Sequence, residues 1–378
     1  MRPKSVSALP TPAALVDAVV VRANVARMAE LAKRLGVRLR PHVKTHKCVE
    51  AARLQEEAGG PGITVSTLAE ARFFASHGFR DITYAVPIAP NRAVEAAELA
   101  VQIDRLNLLV DHADTLDAVE RAARVVGRRL PVFLKVDCGY HRAGVSPFAA
   151  ASVAFAARMA ESPDIDFQGV LTHAGHAYAC RTRGEIQDVA RQERDITVEF
   201  AARLRAAGID VREVSIGSTP TMSVVDHLEG VTEIRPGNYI FYDAFQAMMG
   251  SCSWQDTAFT VLTTVVGSYP DRRVLIVDAG ALALSKDLGA RQIDPDAGYG
   301  VVQSADRTRT FANVHIHALS QEHGHMHIEA EGPFPAFRIG DKLRIIPNHS
   351  CLSAALFERY HVVQDGVVTG EWKPVRGW

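Results

Sequence analysis

The residues best equipped for chemistry stand together in Arg40-Pro41-His42-Val43-Lys44-Thr45-His46-Lys47, where Arg40, His42, Lys44, His46 and Lys47 can all carry positive charge. A lysine crowded by such neighbours has its ammonium form disfavoured by like charge. It is then easier to obtain as a free amine and a better nucleophile toward a carbonyl. Lys44 sits at the centre of the run. The same density of charge also suits a solvated anion-binding loop with no covalent chemistry. A second group lies far downstream in Pro347-Asn348-His349-Ser350-Cys351. On a strand, residues i and i+2 point the same way, so His349 and Cys351 would share one divalent ion. An imidazole with a thiolate suits Zn²⁺, and two protein ligands leave positions open, as a catalytic metal needs. A half-buried structural pair is the plainer reading. His323 and His325 can approach the same place or stand as exposed loop residues.

The elements that must position these residues are legible as periodicity. Short apolar runs fall at 37–40, 62–65, 81–85, 106–110, 132–136, 167–171, 211–216 and 232–235. Between them lie helical patterns, among them 68–76, 91–100, 114–125, 148–161 and 184–207. Eight βα alternations at this period predict a parallel (β/α)8 barrel of the TIM type. An open doubly wound sheet is the alternative, but its first turn is usually Gly-rich, and here it holds Pro41, His42 and Lys44. After Phe245 alternating runs between Gly, Pro and Asp turns predict an antiparallel β domain. The expected division is a barrel over 12–245 and a β domain over 246–378 that also takes in 1–11.

Chemistry in a barrel sits at the carboxyl ends of its strands. The first expected strand ends in Arg40, His42 and Lys44, the fifth in Asp137 to Arg142, the sixth in His173 to Tyr178. The seventh ends in Gly217-Ser218-Thr219-Pro220 and the eighth in Arg235-Pro236-Gly237-Asn238-Tyr239. The last two turns fall where barrels commonly bind phosphate. Backbone N–H groups at Ser218, Thr219, Gly237 and Asn238, with the Ser218 and Thr219 hydroxyls, can cradle an oxyanion. They also read as ordinary strand-to-helix turns with capping hydroxyls. A phosphate-anchored aldehyde facing a reactive lysine describes pyridoxal phosphate.

The whole chain narrows the setting. With 42 Lys and Arg against 43 Asp and Glu, no global field points to nucleic acid or to a membrane. No apolar run reaches spanning length, the N-terminus lacks the core of a signal peptide, and five scattered cysteines predict a reducing compartment. The expectation is a cytoplasmic globular protein.

These residues in this order resemble the metal-dependent D-serine dehydratases and their relatives, D-threo-3-hydroxyaspartate dehydratase and D-threonine aldolase, within the alanine-racemase-like class of pyridoxal phosphate enzymes. The resemblance is carried by Arg40 to Lys47, Val65 to Ala71, Asp137-Cys-Gly with Arg142 to Val145, and Thr172 to Tyr178. It continues through Ile216 to Pro220, Pro236 to Asp243, Gln321 to Gly324, Asn348 to Cys351 and Pro374 to Trp378. It implies that Lys44 holds the cofactor as a Schiff base beside His42, that Arg142 lies near its phenolic oxygen, and that Tyr178 flanks the ring as a second catalytic group. The two turns would hold the phosphate, and His349 with Cys351 would hold zinc (or Mn²⁺ or Mg²⁺). It also implies a homodimer acting on a small D-amino acid.

The expected reaction is loss of the β-hydroxyl from D-serine or a related D-3-hydroxy amino acid, giving a 2-keto acid and ammonia. Lys44 takes the α-proton and the metal eases the departure of hydroxide. Cleavage of the Cα–Cβ bond, an aldolase outcome, competes on the same groups. A β-carboxylate substrate would need a further cation, which Lys286 or Arg291 can supply. A carrier that binds pyridoxal phosphate without turnover is the alternative from another class; it has no use for a Lewis acid, and neither has a racemase.

Overall fold

The structure, a computed structural model, describes residues 4–60, 62–329 and 334–378. It divides into two compact units, one of Arg27–Gly237 with Val375–Trp378, the other of Met1–Ala26 with Asn238–Pro374. The boundaries differ from those expected: the first falls inside the helix Ala18–Arg34 rather than after residue 11, and the second follows Gly237 rather than residue 245. Residues 1–3 of the expected N-terminal piece lie outside the described residues.

The first unit is the expected barrel. Its strands are Arg38–Leu39, Ile63–Val65, Asp81–Pro87, Arg105–Val110, Leu130–Lys135, Ile165–Leu171, Glu213–Ile216 and Glu233–Ile234. Every pair is parallel, and each strand neighbours the next in sequence from the second to the eighth. The eighth pairs with the first, Ile234 opposite Leu39. A parallel bridge between His42 and Thr64 then ties the first strand to the second and closes the circle, which excludes the open sheet. Strands covered on both sides must be apolar throughout, and all six residues of Leu130–Lys135 are buried, a lysine included. The helices between them obey local signals. Ala113–Val126 ends where Gly127 turns left-handed at φ 64°, and Arg183–Ala206 begins at Thr182, whose hydroxyl accepts from Glu185 N at 3.2 Å. Gly169 is a close approach: at φ +138°, a Cβ there would lie 2.1 Å from the Glu213 carbonyl oxygen.

The second unit is antiparallel except for one pairing. Phe259–Tyr269, Val274–Val277, Gly324–Ile328, Thr310–Leu319, Val301–Ser304 and Lys342–Ile346 pair in that spatial order, and the last returns to the first, so six strands close into a small barrel. Ala13–Asp17 adds to Phe259–Tyr269 antiparallel and receives Tyr360–Gln364 in parallel. Leu15, Leu262 and Val363 are buried together there with Val6, Leu9 and Ala13. Among the described residues no helix is long and apolar enough to cross a membrane.

Candidate active site

The octapeptide bends at the end of the first barrel strand into a single 3-10 turn, Val43–Thr45. Most of its positive charge is spoken for. Arg40, 4% exposed, donates from Nε to Glu233 at 2.6 Å and from both terminal nitrogens to Asp81 at 2.8 and 3.0 Å. Lys47 pairs with Glu70 at 2.9 Å, at a left-handed φ of 53°. His46 is buried with Nε2 on Gln55 at 3.1 Å, and burial drops its pKa to about 4. His42 is held well below its ordinary value by burial first, then by Lys44 and Arg235. Its Nδ1 accepts from Lys44 N at 3.4 Å, which leaves the ring proton on Nε2, 3.5 Å from the Ser66 hydroxyl. The crowding expected from Arg40, His46 and Lys47 is therefore compensated or neutral, while Lys44 itself is exposed.

The field at this mouth comes instead from other strand ends. Lys135 is 5% exposed on the fifth strand, and burial, then Arg235, pushes its pKa down to about 8. Arg235 after the eighth strand is buried; it donates to Ser215 Oγ and the Thr172 carbonyl, and burial lowers it to about 10. Burial, then Lys44, Lys135, Arg142 and Arg235, holds His173 well below its ordinary pKa. Arg142 is exposed, with its guanidinium carbon 5.1 Å from the centre of the Tyr140 ring. Four cations thus surround two neutral imidazoles. Pyridoxal phosphate, with its phosphate and ring oxygen, fits that donor set and that sign of charge.

The turn after the seventh strand is also a helix cap. The Ser218 hydroxyl accepts from Thr221 N at 3.4 Å while Thr221 Oγ1 accepts from Ser218 N at 2.9 Å, and both Ser218 and Thr219 are buried. Gly237 passes so close to the first turn that a Cβ would meet the His42 carbonyl oxygen at 2.8 Å. Tyr178 lies half-buried in the 3-10 turn Gly175–Ala179 after the sixth strand. Beneath these turns is Glu193, fully buried on the long helix. Its Oε1 accepts from Ala174 N at 2.9 Å and Gly217 N at 3.2 Å, so one carboxylate ties together the loops after the sixth and seventh strands.

In the β unit, His349 and Cys351 do not lie on a strand. The strand Lys342–Ile346 stops short of them, His349 caps the helix Ser350–Ala354, and Cys351 is in its first turn. The pair is nonetheless brought together, with the two side chains in hydrogen-bonding contact. The helix start is fixed from a distance: Asp243, 1% exposed, accepts from Ser350 N at 2.9 Å, from Ser350 Oγ at 3.2 Å and from Asn238 Nδ2 at 2.6 Å. Asn238 Nδ2 also reaches Cys351 Sγ at 3.7 Å, so its side chain belongs to this pair rather than to a phosphate turn. His349 Nδ1 sits 3.1 Å from the Asp287 carboxylate, which orients the ring and leaves Nε2 for a ligand. Burial alone would lower the His349 pKa; Cys351, Asp287 and Asp243 outweigh it and raise it well above the ordinary value. The same negative surroundings also suit a metal cation, and an imidazole with a thiolate is a donor pair that fits Zn²⁺. Among the described residues no cluster of three or more ligating side chains forms. Lys286, Arg291 and His323 are exposed, and His325 bonds Ser320 Oγ at 2.9 Å.

Residues 16–244 match the alanine racemase N-terminal domain, and residues 258–363 match the putative serine dehydratase domain. The chain is 40% identical to D-serine dehydratase of Dictyostelium discoideum over 98% of both chains. The chain belongs to the D-serine dehydratase family of alanine-racemase-like enzymes. It is 39% identical to D-threo-3-hydroxyaspartate dehydratase of Delftia sp., again over 98% of both. The solved structure of that Delftia enzyme superposes with a TM-score of 0.94 over 99% of this chain and 100% of its own. Membership of the family makes the chain an enzyme, a pyridoxal-phosphate-dependent lyase.

Sequence reasoning passed over three residues of the candidate site. Lys135 was visible as the one charge in an otherwise apolar strand, Leu130-Pro-Val-Phe-Leu-Lys135. Glu193 carries no such signal, being one of many charges on a long helix. Asp287 lies in a loop, and its partner His349 is far away in sequence.

Proposed function

We propose that this enzyme is a dehydratase of D-serine or a closely related D-3-hydroxy amino acid, releasing a 2-keto acid and ammonia, with pyridoxal phosphate on Lys44 and Zn²⁺ on His349 and Cys351. The higher identity to two dehydratases than to D-threonine aldolase supports elimination. The observation that carries the choice of a metal-assisted lyase is the His349–Cys351 contact, braced by Asp287 and set in an anionic surrounding. Such a pair serves a Lewis acid acting on a hydroxyl, a task that neither a racemase nor a cofactor carrier has.

Pyridoxal phosphate, when bound, supplies the electron sink that makes the α-proton acidic. Lys44, once the substrate's amino group has displaced it from the cofactor, would take that proton, the role its exposed position at the strand end suits. Arg142, Lys135 and Arg235 set a positive field that favours the phosphate and the developing negative charge. His42 and His173, both kept neutral, orient groups without adding charge. Tyr178 would flank the cofactor ring as the second catalytic group. His349 and Cys351 would hold the zinc, which would supply a Lewis acid for the departing hydroxide; the unsaturated amine released hydrolyses to keto acid and ammonia. A homodimer in the cytoplasm completes the reading.

Two measurements test it. The purified protein should show a visible cofactor band that disappears in Lys44→Ala. Keto acid should appear from D-serine, D-threonine or D-threo-3-hydroxyaspartate, be lost with a chelator and return with Zn²⁺. Glycine plus an aldehyde as main product would establish the aldolase instead, and indifference to chelation would remove the metal from the mechanism.

A further inference from the structure

The β unit holds an open cavity of about 660 Å³, lined by residues that take no part in the site above, among them Asp17, Trp254, Gln303, Asp306, Arg307 and Arg344. Arg344 is its unusual member. It stands on the strand Lys342–Ile346, opposite Gln303 on one side and Leu262 on the other. It is only 4% exposed, and its Nε has no hydrogen-bond partner. Gln303, 6% exposed, donates from Nε2 to Thr310 Oγ1 at 3.2 Å, and its Oε1 is likewise without a partner. A buried guanidinium left with an unsatisfied donor is costly, and so is a buried orphan carbonyl.

The nearby carboxylates are committed elsewhere. Asp17 caps Val19 N and Val20 N, each at 3.1 Å, and faces Arg307 at 3.5 Å. Asp306 accepts from Ser304 Oγ at 2.6 Å and from Thr308 N and Oγ1 at 3.1 and 2.8 Å. Arg307 also donates to the Thr257 carbonyl at 2.9 Å. Burial, then Arg307, pulls the Arg344 pKa down to about 10 against the opposing pull of Asp17 and Asp306, so these acids do not compensate it. One negative group carrying both an acceptor and a donor would answer Arg344 and Gln303 together.

We propose that this cavity is a binding site for a small oxyanion that also carries a hydrogen-bond donor, such as hydrogen phosphate or a hydroxycarboxylate, held by Arg344 and Gln303. The site is independent of the lyase reaction proposed above. A plain carboxylate satisfies only the arginine and binds less tightly.

The test is calorimetric titration of the cofactor-saturated full-length enzyme, at constant ionic strength, with inorganic phosphate, glycolate, acetate and chloride in turn. The expected result is saturable binding of phosphate or glycolate, at a Kd of about 10 mM or tighter, with acetate several-fold weaker and chloride silent. Which of the first two binds tighter separates a phosphate from a carboxylate ligand. Arg344→Gln should weaken binding at least tenfold, whereas Arg338→Gln, at an exposed arginine, should not change it. If Arg344→Gln does not fold, Gln303→Leu serves: it should erase the preference for glycolate over acetate. No saturable binding to the wild-type enzyme overturns the proposal. So does binding that is unchanged in Arg344→Gln, or a preference for glycolate that survives Gln303→Leu.

Discussion

Arg40 offers the sharpest check on how the active-site turn is held. Its guanidinium joins three strands: it sits on the first, pairs with Glu233 on the eighth at 2.6 Å, and takes both oxygens of Asp81 on the third at 2.8 and 3.0 Å. Arg40→Met keeps much of the stem and removes the charge. Glu233, 2% exposed, is then left with the Ser215 hydroxyl at 2.7 Å as its nearest compensation. Breaking a buried pair from one side costs about 3–5 kcal/mol, because the surviving charge remains desolvated. For a domain of this size about 2–4 °C of melting temperature goes with each kcal/mol, so the barrel should melt roughly 6–20 °C lower at pH 7. The double variant Arg40→Met/Glu233→Gln removes the stranded charge and should recover most of the loss. The pH dependence has a definite sign. Burial pushes the Glu233 carboxyl up, but Arg40, with the Ser215 hydroxyl and Arg235, outweighs it and holds the pKa below its ordinary value of 4.5. A carboxylate depressed in the folded state stabilises above its unfolded pKa, and that stability is lost as pH falls through the folded one. The wild type should therefore lose stability below about pH 4.5, and Arg40→Met should show a flatter acid limb. Thermal melts followed by circular dichroism read all three proteins. A single variant within about 2 °C of wild type would refute the argument. So would a double variant no more stable than the single, since the loss would then be packing rather than stranded charge.

Three further perturbations probe the residues that sequence reasoning missed. Asp287→Asn should weaken zinc binding about 10–100-fold by loosening the His349 ring, read by competition with a chromophoric chelator; unchanged affinity would remove Asp287 from the site. Glu193→Ala should cost about 1–3 kcal/mol in urea melts by orphaning Ala174 N and Gly217 N. Glu193→Gln, able to accept both bonds, should be close to wild type. Burial raises the Glu193 pKa, so the wild type should lose stability relative to the Gln variant as pH rises through that value, and parallel pH profiles would contradict this. Lys135→Met should stabilise the protein at pH 7. Its pKa is lowered to about 8 from 10.5, so wild-type stability should rise with pH between those values while the Met variant stays flat.

The barrel was legible because its signal is local. Strands buried on both faces read as apolar runs whatever they pair with, and capped helices separate them at a regular period. The boundary at the N-terminus was not legible. Ala13–Asp17 falls inside the range 12–245 expected for the barrel, yet it pairs with Phe259–Leu262 and with His361–Val363, hundreds of residues away. No local pattern announces such partners. The candidate metal pair differs in another way: His349 and Cys351 do come together, but not on the strand expected. His-Ser-Cys on a strand would align its ends, but Asp243 captures Ser350 N and starts a helix instead, an override from over a hundred residues upstream. The octapeptide was over-read in a third way. Counting charges treated His46 and Arg40 as neighbours of the same kind as Lys44, whereas Gln55 and Glu233 had already claimed them. Charge read from sequence is formal; what acts at a site is the charge left after its partners are subtracted.

That subtraction also bears on why one chain builds two centres of opposite character. Formal charges cancel to −1, so neither centre inherits its field from the molecule as a whole. In the barrel unit, Lys44, Lys135, Arg142 and Arg235 each disfavour a proton on His173. In the β unit, Asp243, Asp287 and Cys351 together favour one on His349. Each imidazole therefore reports the sign of the group proposed beside it: an anionic cofactor near the first, a metal cation on the second. Buried charges without a ligand to answer them are costly. A chain selected only to carry pyridoxal phosphate would have no reason to keep the second centre. Replacing Asp243 by Asn would remove one anion and leave the Ser350 N–H an amide oxygen to bond. If zinc affinity then fell while the cofactor band was unchanged, the two fields would be shown to serve two different ligands. A loss of both together would mean that the fields are consequences of folding and carry no information about chemistry.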